Sequence, residues 1–369
     1  MKNAISLLLI AISSCTALAA SKTEIGKLEN ASFRIDVPAN WAGELVIYCH
    51  GYSPDPVVLQ NGALPSHVKV FIDSGVAVAQ SGLSHGSWSI ETGSRDTEEL
   101  RRYFIRKYGR PKKTFIVGES MGGFLAMVVI ETKPKSYNGA MVFCAPLDSP
   151  NWFLARRVFD LRVVLDFYFP GVFPRMDALP LPSEKSLPHS VQVEALLDND
   201  PAAAESLRLY SGIHSNRDLA RTVVFFTTML DELAAKTGGN PFGNGDVVYE
   251  GTENDNLVNE GVTRYKSNPA AAAFVRRMPG PTGRLRRPLL SLETTYDPLI
   301  PGWAVNRYQS DVAQAGNQEF FSQKYVKGAG HCAISAETLS DSFSELQNWA
   351  SGKMTASVNQ PDSRAGRVP

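Results

Sequence analysis

The stretch TFIVGESMGGFLAMVVIE, Thr114–Glu131, passes from an apolar β-type run into a helix-forming run through Gly118-Glu119-Ser120-Met121-Gly122. A strand-to-helix turn this tight pushes its central side chain out above the carboxyl edge of a sheet. It needs small residues two positions to either side so that helix and strand can approach. Gly118 and Gly122 meet that demand, and Gly123 eases the approach further. A second pentapeptide of the same form, Gly82-Leu83-Ser84-His85-Gly86, also follows a strand, but SWSIETG after it has no helix-opening pattern. Ser120 is therefore the expected nucleophile, and Ser84, His85 and Trp88 read as a loop bordering the pocket.

Outward from this turn, strand and helix signals alternate through the first 145 residues, as in parallel strands joined by crossover helices. ELVIYC (44–49), VAVAQ (76–80), KTFIV (113–117) and AMVFC (140–144) are apolar runs suited to strands covered on both faces. DTEELRRYFIRKYG (96–109) reads as a helix, with acidic residues first, basic residues last and Gly109 as its stop. From 146 to 287 the alternation stops. Helix candidates lie at 201–210 and 218–236 among Pro-rich connections, with no buried strand. It resumes with PLLSLETTYDP, a helix near 305–315, QEFFSQKYV and a last helix at 335–349. The expected organisation is an α/β core of residues 20–145 and 288–351 carrying a helical cap of residues 146–287.

A serine hydroxyl needs a base in hydrogen-bond reach and donors aimed at the developing oxyanion. The partners should lie at the carboxyl ends of later strands, acid before histidine. LLSLETTYDPLIP puts Asp297 just past a strand, and QKYVKGAGHCA puts His331 just past the last one, where Gly328 and Gly330 let the chain turn back. Asp148, after AMVFC, is the competing acid, and Glu293 is a weaker one inside the strand. The two oxyanion donors are expected from the amides of Met121 and Tyr52, the latter in the turn His50-Gly51-Tyr52. His50 and Phe167 join Ser84, His85 and Trp88 as pocket candidates. Trp152, Phe153, Phe159, Tyr168, Phe169 and Phe173 are expected mainly in the cap core, and His67, His189 and His214 have no assigned part.

The order His-Gly, G-x-S-x-G, Asp, His, spanning Glu44 to Trp349, resembles the α/β-hydrolase superfamily. The resemblance implies a mostly parallel eight-stranded sheet flanked by helices, with the site at its carboxyl edge and the large helical cap inserted after the sixth strand. GWAVNRYQSDVAQAG and GAGHC look like secreted bacterial hydrolases of this fold. Glu119 stands where lipases and esterases often carry a histidine, and a single His-Gly replaces the glycine triplet of hormone-sensitive-lipase-like esterases. The Cys-Ser and His-Cys pairing of tannase-like enzymes is half present, in His331-Cys332.

The chain has 369 residues, 43% of them hydrophobic, and a formal net charge of zero. That balance gives no electrostatic footprint for nucleic acid or for an anionic membrane. Lys2, the apolar run Ala4–Ile12 and the small residues TALAA have the layout of a secretory leader, residues 1–19. The expected location is periplasmic or secreted, with a lipoprotein anchored through Cys15 as the alternative. Cys49, Cys144 and Cys332 then remain, and free core thiols are their expected state, with a Cys144–Cys332 bridge the alternative. Residues 352–369 read as a disordered tail.

Asp246, Glu253, Asp255 and Asn256 match no cation-loop spacing, and the chemistry needs no metal or organic cofactor. The expected activity is hydrolysis of a small-molecule or polymeric carboxylic ester through an acyl-enzyme, without nucleic-acid partners or a membrane span. A peptidase or amidase of prolyl-oligopeptidase type and a polyester depolymerase are the alternatives.

Overall fold

The computed structural model describes residues 21–182 and 186–353. The expected leader and Cys15 lie outside the described residues, as does the expected tail beyond Lys353. Gly352 and Lys353 themselves still bond back to the carbonyls of Trp349 and Asn348.

Eight strands form one sheet: β1 (Lys22–Leu28), β2 (Ala31–Val37), β3 (Glu44–Cys49), β4 (Ala77–Ser81), β5 (Lys113–Glu119), β6 (Gly139–Phe143), β7 (Leu289–Tyr296) and β8 (Phe321–Ala329). Their order is β1-β2-β4-β3-β5-β6-β7-β8. β1 and β2 are antiparallel, and β2 meets β4 antiparallel. Every later pair is parallel. Six consecutive strands therefore deliver their carboxyl ends to one edge.

The apolar runs of β3, β4, β5 and β6 are buried on both faces. On one face sit α1 (Ser66–Asp73) and α12 (Ala336–Trp349), closing a smaller core around Phe71, Phe115 and Phe343. On the other lie α2 (Ile90–Tyr108), α3 (Met121–Thr132) and α11 (Gly302–Gln314). α3 is buried along nearly its whole length, so its sequence is apolar all round. That pattern fits a helix packed between the sheet and further helices.

Those further helices fill the excursion between β6 and β7: α4 (Pro150–Phe153), a π-type turn Leu154–Phe159, α5 (Asp160–Tyr168), α6 (Ser190–Asn199), α7 (Pro201–Ser211), α8 (Asn216–Thr237), α9 (Asp255–Gly261) and α10 (Pro269–Arg276). α8 is the longest. The Ser215 hydroxyl accepts the Asp218 amide at its start, and left-handed Gly238 ends it. Leu219, Val223, Phe226, Leu230 and Leu233 form its buried stripe.

One sequence expectation needs correction, and two strands went unread. SWSIETG does open a helix, because α2 begins at Ile90, well before Asp96. Gly93 in its first turns hid the pattern, yet a side chain there would press on Leu125. Strands β1 and β2 also had no clear signal. β1 is mostly exposed, and β2 carries a buried Arg34–Asp36 ion pair at 2.8 Å across what would be an apolar alternation.

The Phe343 ring, 2% exposed, lies 4.9 Å from Phe71 and 5.2 Å from Phe115. Phe343→Ala should lower unfolding free energy by about 3–5 kcal/mol in urea titrations, the usual cost of an emptied aromatic site.

Candidate active site

Ser120 joins β5 to α3 with φ 51° and ψ −125°, a region that L-residues rarely occupy. Its amide donates to the Phe143 carbonyl at 2.9 Å, and its carbonyl accepts the Gly123 and Phe124 amides at 3.0 and 3.1 Å. The turn is thus fixed to the end of β6 and to the first turn of α3. A Cβ on Gly118 would collide with the Gly122 carbonyl, and one on Gly122 with the Cys49 carbonyl. Both clashes are with backbone, so neither can be relieved by rotating a side chain.

His331 follows β8 on a loop tied to β7. The Gly330 amide donates to the Tyr296 carbonyl at 2.8 Å, and the Thr294 hydroxyl donates to the Gly330 carbonyl at 3.1 Å. His331 Nε2 lies 2.9 Å from Ser120 Oγ, and Nδ1 lies 2.7 Å from Asp297 Oδ2. A carboxylate only accepts, so Nδ1 carries the proton and Nε2 is free to take one from Ser120. Asp297 Oδ1 accepts the Leu299 and Ile300 amides at 2.8 and 3.1 Å. The loop after Asp297 is held in turn by Arg157. Its guanidinium donates to the carbonyls of Pro298, Leu299 and, at 2.6 Å, Ser211. Burial pushes Arg157 down to about 10, with Asp297 acting the other way.

Glu293 is 1% exposed, and neither of its oxygens has a conventional hydrogen-bond partner. Burial, then the charge of Asp297, pushes its carboxyl far above the ordinary value, so it is neutral at pH 7. Asp148 does not take the acid's place. Its Oδ1 accepts the Ser149 amide at 2.6 Å.

A small pocket opens beside Ser120 and Met121. Its walls include Tyr52 and Trp88 from the core, Phe153, Phe225, Phe226 and Met229 from the inserted helices, and Leu299 and Ile300 from the loop after Asp297. Met121 is the first residue of α3, where a backbone N–H has no partner inside the helix. A Cβ on Gly51 would touch Ser120 Cβ at 3.5 Å, so the turn after β3 lies against the serine. The Tyr52 hydroxyl donates to Glu232 on α8, and burial raises the titration of both.

Four pocket candidates are not among the cavity walls. His50 Nδ1 donates to the Gly51 carbonyl at 2.7 Å, and the Ser84 hydroxyl pairs with His85 at 3.0 Å while its amide donates to Asp96. Phe167 packs against Tyr168 and over Gly261. Asp255 accepts the Gly251 amide and both the amide and hydroxyl of Thr252, closing a turn. His67 faces Glu119 at 3.7 Å, and exposed His214 stacks on Tyr296 at 3.9 Å.

The expectation of free thiols is corrected for two cysteines. Cys144 and Cys332 form a disulfide with Cα atoms 5.1 Å apart, and among the described residues Cys49 is free and buried. They lie 188 residues apart, and only the pairing of β6, β7 and β8 brings them together. Phe225, Phe226 and Met229 were missed as pocket residues because an amphipathic helix does not reveal from its own sequence where its ends of the stripe face a cavity.

The family described as serine aminopeptidase, S33 matches residues 80–222. No curated protein matches the chain. Similar solved structures include an esterase from Aspergillus oryzae, at 12% identity and TM-score 0.49 over 90% of this chain and 80% of that one. Lipase A of Candida antarctica is 14% identical, TM-score 0.48, over 88% and 74%. An acylaminoacyl peptidase of Pyrococcus horikoshii is 10% identical, TM-score 0.46, over 90% and 41%. The strand order and the serine turn are those of an α/β-hydrolase fold, and the matched residues 80–222 include that turn.

Because the folded chain keeps the Glu293 proton at pH values where the unfolded chain has lost it, this group makes stability fall as pH rises above about 4.5. Glu293→Gln removes that slope. The stability of the variant relative to wild type, measured by urea unfolding, should increase steadily from pH 5 to pH 8.

Proposed function

We propose that the protein is an exported carboxylic-ester hydrolase in which Ser120, His331 and Asp297 form the catalytic triad. Ser120 Oγ attacks the ester carbonyl carbon while its proton passes to His331 Nε2. Asp297 holds Nδ1–H and stabilises the imidazolium. The amides of Met121 and Tyr52 receive the oxyanion, and losing one such donor typically costs about 10²–10³ in kcat. As the tetrahedral intermediate collapses, the alcohol leaves with the proton from His331, and an acyl ester remains on Ser120. Water then gives a proton to His331 and attacks that acyl carbon, and the acid departs as Ser120 recovers its proton.

The observation that carries this reading is the unbroken line of contacts from Asp297 Oδ2 through His331 to Ser120 Oγ, at 2.7 and 2.9 Å, at the wall of an apolar cavity. None of the cavity's lining side chains is charged. That lining suits an uncharged acyl or aryl group better than an N-terminal ammonium, whose desolvation would go uncompensated. The ester's substrate class is therefore compact and apolar on its acyl side. Peptide hydrolysis is the second reading, favoured by the match to the serine aminopeptidase family over 80–222. Export rests on the leader-like N-terminus and is supported by the Cys144–Cys332 bridge, since disulfides persist in oxidising compartments.

Turnover of short p-nitrophenyl esters and of aminoacyl p-nitroanilides separates the two readings. Wild type should cleave the esters far faster, and preference for the anilides would replace the esterase with a peptidase. Ser120→Ala should lower kcat by at least about 10⁴-fold with the fold retained, as loss of a triad nucleophile does, and should abolish fluorophosphonate labelling.

A further inference from the structure

We propose that the Cys144–Cys332 disulfide is a positioning device: it ties the loop carrying His331 to the strand end on which the Ser120 turn rests, and so sets the approach of imidazole to hydroxyl. The inference builds on the catalytic roles proposed above for Ser120 and His331.

The contacts close a ring. The Ser120 amide donates to the carbonyl of Phe143, the last residue of β6. Cys144 is the next residue, and its own amide donates to the Leu292 carbonyl of β7 at 3.0 Å. From Cys144 the disulfide crosses to Cys332, which is joined by one peptide bond to His331. His331 Nε2 returns to Ser120 Oγ at 2.9 Å. Only the last link of that circuit has to loosen and re-form during a catalytic cycle. The others are covalent or are buried backbone hydrogen bonds, so the geometry at the reacting atoms is inherited from them.

The histidine loop needs such a tether on its downstream side. Upstream of His331, Gly330 is bonded to Tyr296 and Thr294 on β7. Downstream, the bonds from Ala333 to Gly330 and from Ile334 to Cys332 lie within the loop itself, and α12 begins only at Ala336. Cys332 is where the loop is fastened back to the sheet. Cys144 and Cys332 also both have positive φ, 46° and 55°, a backbone state that is unfavourable for a non-glycine residue unless its surroundings impose it. A covalent cross-link between two such residues holds both in place. Cys144 is fully buried, whereas Cys332 is partly exposed, so a reductant can reach the bridge from the histidine side.

The experiment compares oxidised enzyme with enzyme treated with tris(2-carboxyethyl)phosphine, which takes oxygen from water to become the phosphine oxide as the bridge becomes two thiols. A double variant, Cys144→Ala with Cys332→Ala, is measured alongside. The readouts are kcat and KM on a short p-nitrophenyl ester, the rate of fluorophosphonate labelling of Ser120, and circular dichroism. Misplacing a reacting group by about 1 Å can cost on the order of 10²-fold. Reduction should lower kcat and labelling rate together by that order and leave KM and the dichroism unchanged, and reoxidation should restore both rates. The double variant should show the same split between kcat and KM. Retention of kcat after complete reduction overturns the proposal. So does a loss of activity that follows loss of secondary structure, because a bridge needed by the whole fold is no local clamp. Oxidised enzyme that neither turns over esters nor reacts with fluorophosphonate would instead overturn the catalytic reading itself.

Discussion

The backbone of Ser120 is held at φ 51° and ψ −125°, a conformation that costs on the order of 1–3 kcal/mol and persists only when its surroundings over-determine it. Those surroundings are the centre of the sheet. β5 pairs with β3 on one side and β6 on the other, with Cys49 opposite Gly118 and Phe143 opposite Glu119. α3 descends from the serine onto the same strands, and the missing side chains of Gly118, Gly122 and Gly123 let it come close enough. The Ser120 hydroxyl is presented by a turn bonded to the central strands of the sheet. A looser element could not sustain the strain.

The rest of the site follows from strand direction. Since β3 through β8 are parallel where they pair, the residues just beyond β3, β5, β7 and β8 must emerge at one rim. Gly51, Ser120, Asp297 and His331 are those residues. The inserted helices set Phe225, Phe226 and Met229 against that rim, and beside such apolar groups a hydrogen bond to a charged group gains strength. Asp297 has three partners there, two amides and an imidazole, and lies beside Glu293, whose burial favours its neutral form.

What was legible in the sequence tracks how locally each feature is encoded. The turn at Ser120 depends on residues within a few positions of it, and the apolar runs of β3, β5 and β6 need no partner to be recognised. Asp297 and His331 could be named because strand ends are readable and their order along the chain is constrained. β1 and β2 were missed because one is an exposed edge and the other encloses the Arg34–Asp36 pair. The start of α2 was hidden by a glycine whose reason is tertiary, the close approach of Leu125. The disulfide and the cavity walls depend on contacts across 100 residues or more, which no local pattern carries. Phe167 shows the limit in the other direction. It sits in an aromatic-rich helix, yet its ring is committed to Gly261 rather than to the cavity.

Arg157 joins two parts of the molecule that a hinged lid would have to separate. From the inserted helices it reaches the carbonyls of Pro298 and Leu299, immediately after the acid, while a third bond runs to Ser211 at the end of α7. Lifting this roof would strand a buried guanidinium and disturb the very peptide groups that brace Asp297. The helices above the serine are thus fastened to the loop after Asp297, and any movement that lifted them would have to break the bonds to Pro298 and Leu299 together.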